Sequence, residues 1–248
     1  MGDSTLYGIH DPTFETTTPW LIYEQAQCAI GTRKGLVLSE PEWLTDPWTH
    51  HPKTRKDMLV DILLEIPSLY ENVDNMNLLP DGKIKSSHRH NIQKMNYVIM
   101  TRLENWNTRY AATLPTTYSG PHWQTLSSVE TNSIADAHVM AIYWASSIHA
   151  YHIYRTVSDG ECDFIGLDPD DCCRSIIRCV PLFLHPSTGI FRQHLIPFPL
   201  MTADRHLNSV QSTKLQAERD YLQALRESPK FAAMHQFISS MQSQIVTF

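Results

Sequence analysis

Histidines and tyrosines are concentrated in one segment of the sequence, residues 131–157, TNSIADAHVMAIYWASSIHAYHIYRTV. Histidine changes its charge near neutral pH and can therefore move a proton, and a tyrosine hydroxyl can donate a hydrogen bond that polarises a carbonyl group. We therefore identify His138, Tyr143, His149 and Tyr151 as candidate catalytic residues. Such groups suit a cyclisation, an isomerisation or a cycloaddition, in which preorganised donors hold an apolar substrate in a folded conformation.

The spacing of these residues predicts a single helix with two polar faces. At about 100° per residue, the three histidines of the segment fall on one face and Tyr143 and Tyr151 fall on the opposite face. A helix that only fills a core would carry aliphatic residues, because each buried hydroxyl or imidazole without a partner costs about 1–3 kcal/mol. Two interpretations remain: the polar groups are satisfied inside an ordinary core, or one face lines a cavity that binds a molecule.

Other aromatic and polar residues near predicted helix ends could reach the same cavity and contact a substrate. These candidate substrate-binding residues are Trp106, Asn107, Tyr110, Trp123, Trp144, His152 and His194. Taken singly, each is more often a packing or surface residue. Their joint density near helix ends favours a shared site.

The sequence does not predict a metal or a cofactor. His149 and His152 form an HxxH pair, but the motif contains no carboxylate partner, and the cysteines form no CxxC pair. The glycines form neither a GxGxxG nor a GxxxxGK[ST] phosphate loop, and no GxSxG motif is present. We therefore expect chemistry that uses side chains alone.

The composition describes a folded protein with a moderate negative charge. The 248 residues can bury one large core, 42% of them are hydrophobic, and the net charge is −6. This charge offers no general field for nucleic acid, so we expect no direct nucleic-acid binding. The five cysteines and the absence of a signal peptide predict free thiols in a reducing compartment, and no segment reaches the ~18 apolar residues that a membrane span needs. The expectation is an intracellular protein that does not enter the membrane.

Apolar residues recur three and four positions apart through most of the chain, and no segment alternates in the manner of a strand. The sequence therefore predicts an all-α fold, a single irregular bundle of roughly seven to nine helices. Residues 1–19, rich in Thr and Pro, are predicted to form a flexible arm, and residues 20–248 the helical domain. The turn at Asp81 and Gly82 predicts a mobile loop near residues 79–89.

Several helix boundaries can also be predicted. Gly31 should end the first helix, and Pro67 should kink or split the helix that begins near Met58. Asp168 should cap the helix that follows it, with Asp170 and its neighbour favouring the positive end of the helix dipole.

Four segments, in this order, resemble a known family. They are RKGLVLSEPEWLTDPW from Arg33, MLVDILLEIPSLYENVD from Met58, IADAHVMAIYWASSIHAYHIYRTV from Ile134 and CVPLFLHPSTGIFRQHLIPFPL from Cys179. With the tail FAAMHQFISSMQ, the stretch from about Trp20 to the end resembles the C-terminal regulatory region of fungal zinc-cluster transcription factors. The resemblance implies an all-helical domain. Those factors read DNA through a six-cysteine, two-zinc module, and no cysteine-rich basic cluster precedes Trp20 here.

Two functional hypotheses follow from the polar helix and the resemblance. The first is a free-standing, cofactor-independent cyclase or pericyclase that acts on an apolar fungal secondary metabolite such as a terpenoid or polyketide, by cycloaddition of the Diels–Alder type or by isomerisation. The second is a transcriptional regulatory domain that lacks its own DNA-binding module and forms a homodimer. An enzyme would be cytoplasmic and a regulator nuclear. Apolar residues of the last two predicted helices could either face the partner in such a dimer or close the protein's own core, which is the commoner use of such a stripe. They are Leu215, Leu222, Leu225, Phe231, Met234, Phe237 and Met241.

Overall fold

The computed structural model describes residues 12–49, 52–110, 131–158, 167–186, 188, 195–210 and 213–228. Side chains are described from Leu21 onwards and, in the helix that begins at Thr131, from Ile134. These residues form α-helices joined by turns and short 3-10 helices, with no strand among them. The prediction of an all-α irregular bundle is confirmed over this part of the chain.

The α-helices follow one another along the chain in this order: α1 (Pro12–Thr32), α2 (Pro41–Thr45), α3 (Arg55–Leu63), α4 (Ile66–Asn77), α5 (Lys83–Tyr110), α6 (Thr131–Val157), α7 (Pro169–Phe183), α8 (Pro197–Ser209) and α9 (Gln216–Glu227). Two short 3-10 helices flank α2, and a third precedes α9. No helix in the described residues is long and apolar enough to cross a membrane.

Local sequence determines where several of these helices begin. Thr54 and Asp57 form a capping box at the start of α3, in which each side chain accepts a hydrogen bond from the other residue's backbone N–H. Pro67 lies in the first turn of α4, where its missing N–H costs nothing, so the predicted split is confirmed. Asp168 caps α7 by accepting a hydrogen bond from the Asp170 N–H at 2.9 Å, also as predicted.

Helix α6 lies at the centre of the bundle, in contact with α3, α4, α5, α7 and α8. Its interior positions Ala141, Ile142, Ala145 and Ile153 are all fully buried. Small residues let neighbouring helices approach from several sides, and each buried isoleucine contributes about 1.5–3 kcal/mol by leaving water. The helix predicted to carry the chemistry is therefore also the main packing element of the core.

Two predicted flexible segments are helical over part of their length. Helix α1 begins at Pro12, so residues 12–19 of the predicted arm are helical, while residues 1–11 lie outside the described part of the chain. The predicted loop near 79–89 is a turn that ends at Gly82, whose φ of 151° suits glycine. Residues 83–89, most of them exposed, form the first turns of α5, where the Lys85 ammonium donates to Asp81 one turn earlier at 2.9 Å.

The stripe predicted to join two copies of the chain packs against the protein's own core. Leu215 and Leu222 are buried and Leu225 packs against the same cluster. The other members, Phe231, Met234, Phe237 and Met241, lie outside the described residues. The described leucines therefore close the bundle, which is the usual role of such a stripe.

Candidate functional site

A cleft of about 1200 Å³ lies between the C-terminal end of α1 and helices α4, α6 and α8. This volume is sufficient for a small organic molecule. Most of its lining residues have polar side chains, although more of the lining surface is apolar than polar. The chemically active members are Arg33, Tyr70, Asp74, His149, His152, Arg155, Thr202 and Arg205. Val73, Ile148 and Ile153 supply apolar wall.

One hydrogen-bond chain crosses the floor of the cleft through His149. The Tyr70 hydroxyl lies 2.7 Å from His149 Nδ1, and His149 Nε2 lies 3.1 Å from Thr202 Oγ1. Thr202 donates its own proton to the Phe198 carbonyl at 3.0 Å, so Thr202 Oγ1 must accept from His149 Nε2–H. His149 is therefore the Nε2–H tautomer, and its Nδ1 accepts from the Tyr70 O–H.

His149 is neutral in this environment. Burial, with smaller effects of His152, Arg205 and Arg33, lowers its pKa to about 3. Its ring also stacks on Phe198, with centroids 5.8 Å apart. Both ring nitrogens are occupied, so His149 fits the first interpretation of the polar helix, a histidine satisfied inside the core. Burial also raises the pKa of Tyr70.

A second chain of polar groups reaches the cleft through His152. His206 is fully buried, and its Nε2 lies 2.8 Å from Asp170 Oδ1. Its Nδ1 lies 3.3 Å from Nε2 of His152. Because a carboxylate only accepts hydrogen bonds, His206 Nε2 carries a proton. When both rings are neutral, His206 Nδ1 must then accept from the His152 Nε2–H.

His152 is half-buried and is the residue of this group that lines the cleft. Burial, together with His206 and Arg155, lowers its pKa to about 4. The ring is therefore uncharged at neutral pH. Within the described residues Nδ1 of His152 makes no hydrogen bond, so this nitrogen is the one available to a ligand.

The structure brings His149 and His152 to the cleft but separates them from most other predicted residues. Tyr143 stacks on Trp106 at 5.4 Å, and the Trp106 Nε1–H donates to the Arg55 carbonyl at 2.8 Å. Tyr110 packs beside Trp106 and directs its hydroxyl to the sulfur of Met58. These residues are packed together in a separate cluster outside the cleft lining, because Tyr143 projects towards α5, from a different side of α6 than His149 and His152.

The remaining predicted residues have other surroundings. His138 is buried, with ring edges against Tyr23 and Phe183, and burial lowers its pKa. Tyr151 is half-buried beside His152 and His206. Trp144 is half-buried against the core, and Asn107 is half-buried on α5. Trp123 and His194 lie outside the described residues.

Sequence reasoning missed the charged lining residues Arg33, Asp74, Arg155 and Arg205. It also missed four residues of the two hydrogen-bond networks: Tyr70, Asp170, Thr202 and His206. Asp170 was assigned to the helix dipole, and the others lie in segments with ordinary helical spacing. Their hydrogen-bond partners are 36–79 positions away in the chain, so no local pattern connects them. In the described ranges, no group of three or more His, Cys, Asp or Glu side chains is placed to hold a metal.

We compared the chain with models of protein families, with curated proteins and with solved structures, and none of them matches. The resemblance to fungal zinc-cluster regulators therefore stays a prediction.

Proposed function

We propose that this protein is a cofactor-independent acid–base enzyme that isomerises or cyclises a small organic molecule in the cleft. The single observation that carries the proposal is the chain Asp170–His206–His152, which runs from a carboxylate through a buried imidazole to an imidazole on the cleft wall. A general base oriented by a second group, which is itself oriented by a carboxylate, is a recurring arrangement for moving protons.

The proton would move in balanced steps. Nδ1 of His152 takes a proton from a carbon or oxygen of the substrate, and the Nε2 proton of His152 passes to Nδ1 of His206. The resulting imidazolium of His206 faces the Asp170 carboxylate, which stabilises its charge. Reversal of both transfers returns a proton to another atom of the substrate, so an isomerisation or ring closure leaves the enzyme unchanged.

The relay compensates for the low pKa of His152. An imidazole with a pKa of about 4 is uncharged at neutral pH, but by itself it is a weak base. Passing the proton to His206, beside Asp170, gives the charge a more favourable position. His149 has no comparable role, because its nitrogens already bond Tyr70 and Thr202.

Deuterium exchange tests this proposal. The purified protein is incubated in D₂O with a metabolite extract of a filamentous fungus, the source that the sequence resemblance suggests, and compounds that gain about 1 Da are identified by mass spectrometry. The native chain should catalyse exchange, His152→Gln should abolish it, and Asp170→Asn should slow it. His90→Gln, an exposed histidine on α5, is the matched control. Equal exchange by His152→Gln and the native chain would refute the proposal.

A second measurement needs no substrate. Nitrogen-15 spectra of histidine-labelled protein report the tautomer of each ring, and the relay requires His152 and His206 both to carry their proton on Nε2 at neutral pH. If His152 carries its proton on Nδ1 instead, the cleft has no base and the proposal fails.

Exposed apolar residues on α5 favour a second candidate function, the regulatory domain that forms a homodimer. Ile84, Met95 and Val98 are 67%, 44% and 51% exposed and fall within about 60° of one another around the helix. A dimer that forms through this stripe should dissociate in Val98→Glu but not in Ser86→Glu, on the opposite side of α5. Light scattering that finds the native chain monomeric at high concentration would exclude this candidate. The regulator would act in the nucleus, and the enzyme in the cytoplasm.

A further inference from the structure

The cleft has a charge opposite to that of the chain as a whole. The chain carries a net charge of −6. Among the described residues of the cleft lining, Arg33, Arg155 and Arg205 are cationic and Asp74 is the acidic one. A positive cleft in an acidic protein concentrates anions locally, because the surrounding low-dielectric walls focus the field.

Arg33 is held firmly at one side of this cleft. Its Nε and Nη2 bond the two Asp74 oxygens at 2.7 and 2.6 Å, and its guanidinium lies 4.4 Å from the centre of the Tyr70 ring. Its backbone has a φ of 56°, a left-handed conformation that is unfavourable for a residue other than glycine. The contacts with Asp74 and Tyr70 offset this cost, so the cationic group is positioned before any ligand binds.

Arg205 lies on the α8 side of the same cleft and is half-buried. Burial lowers the pKa of its guanidinium, and Arg33 adds to this lowering while Tyr70 opposes it. Both guanidinium groups act on the same tyrosine, Arg33 from the turn after α1 and Arg205 from α8. Asp74 balances one of the three cationic groups of the lining, so an anion beside Arg33 and Arg205 would bring the cleft closer to electrical neutrality.

We infer that the ligand of the cleft is a small organic anion whose carboxylate or phosphate group binds beside Arg33 and Arg205. Its carbon skeleton would lie along the apolar wall, Val73, Ile148 and Ile153, with His152 in reach. This inference rests on the proposed function, since it names the substrate class of the same site. It replaces the expectation of a wholly apolar substrate with that of an amphiphilic acid.

Calorimetric titration with three naphthalene probes tests the inference. The probes are 2-naphthoate, 2-naphthyl phosphate and the uncharged 2-naphthol, titrated into the full chain at pH 7.5. At least one anion should bind about tenfold more tightly than the alcohol, because a charge-assisted hydrogen bond contributes more than a neutral one. The anion that binds more tightly identifies the head group as carboxylate or phosphate.

Variants locate the binding site. Arg205→Gln should weaken binding of the preferred anion about tenfold or more, and Arg205→Lys should restore part of it. Arg109→Gln makes the same change of charge at an exposed position outside the cleft and should have no effect. Raising the salt concentration should weaken binding to the native chain, a measurement that does not depend on any variant folding.

The inference is overturned if neither anion binds at millimolar concentration, if 2-naphthol binds as tightly as the anions, or if Arg205→Gln binds like the native chain. These results are separable from those on catalysis. If deuterium exchanges into uncharged compounds but neither anion binds, the proposed enzyme activity stands and the proposed anion site is refuted. If an anion binds in an Arg205-dependent way but no deuterium exchange is found, the proposed anion site stands and the proposed acid–base mechanism is refuted.

Discussion

Acidification should destabilise this fold through His149. In the unfolded chain a histidine has a pKa of 6.5, whereas burial lowers the pKa of folded His149 to about 3. Between these values the unfolded chain binds a proton that the folded protein does not. The free energy of unfolding therefore falls by about 1.4 kcal/mol for each pH unit below 6.5. The contribution is complete above pH 6.5 and is lost as the pH falls towards 3.

From pH 7.5 to pH 5.5 this difference amounts to a loss of about 1.4 kcal/mol from His149 alone. Urea unfolding followed by circular dichroism at both pH values measures the total change for the native chain. In His149→Gln the change between the two pH values should be smaller by about 1.4 kcal/mol, because glutamine does not titrate. His90→Gln, an exposed histidine on α5, should leave the change as it is in the native chain.

The reasoning is refuted if His149→Gln and the native chain lose the same stability between pH 7.5 and 5.5. Such a result would mean that His149 takes up a proton in the folded state as it does in the unfolded chain. The imidazole between Tyr70 and Thr202 would then not be neutral at pH 5.5. Should the variant fail to fold, the carbon-13 shift of the His149 ring in the native chain decides the question. It should stay constant over this range, and a titration near pH 6.5 would contradict the assignment.

Two further predictions concern buried groups elsewhere in the core. Thr202→Val should lower the free energy of unfolding by about 1–3 kcal/mol, because it leaves the His149 Nε2–H without an acceptor. Thr156→Val, at an exposed position of the cleft, should change this free energy little. Equal losses for the two variants in urea unfolding would contradict the hydrogen bond between His149 and Thr202. Burial raises the pKa of the Cys179 thiol to about 12. Ellman's reagent at pH 8 should therefore label the exposed Cys28 in the native protein and Cys179 only after unfolding. Rapid labelling of Cys179 in the native protein, mapped by mass spectrometry, would contradict this burial.

The elements that sequence reasoning located correctly depend on neighbouring residues. The split at Pro67 and the cap at Asp168 follow from backbone groups within a few positions, which any fold would have to satisfy. The long helix α5 follows from apolar residues at helical spacing, among them Ile92 and Ile99. The boundaries that differ, at residues 12–19 and 83–89, lie in stretches with few apolar residues, so the apolar spacing that located the other helices gave no signal there.

The sequence by itself determined that the chain is an all-α bundle and that one helix carries an unusual density of histidines and tyrosines, because both properties are local periodicities. Only the tertiary structure decided what those side chains do. His149 and His152 are three positions apart on α6, yet one is satisfied between Tyr70 and Thr202 and the other ends a relay from His206. Their partners come from helices distant in the chain, and the burial that sets each pKa exists only after those helices pack.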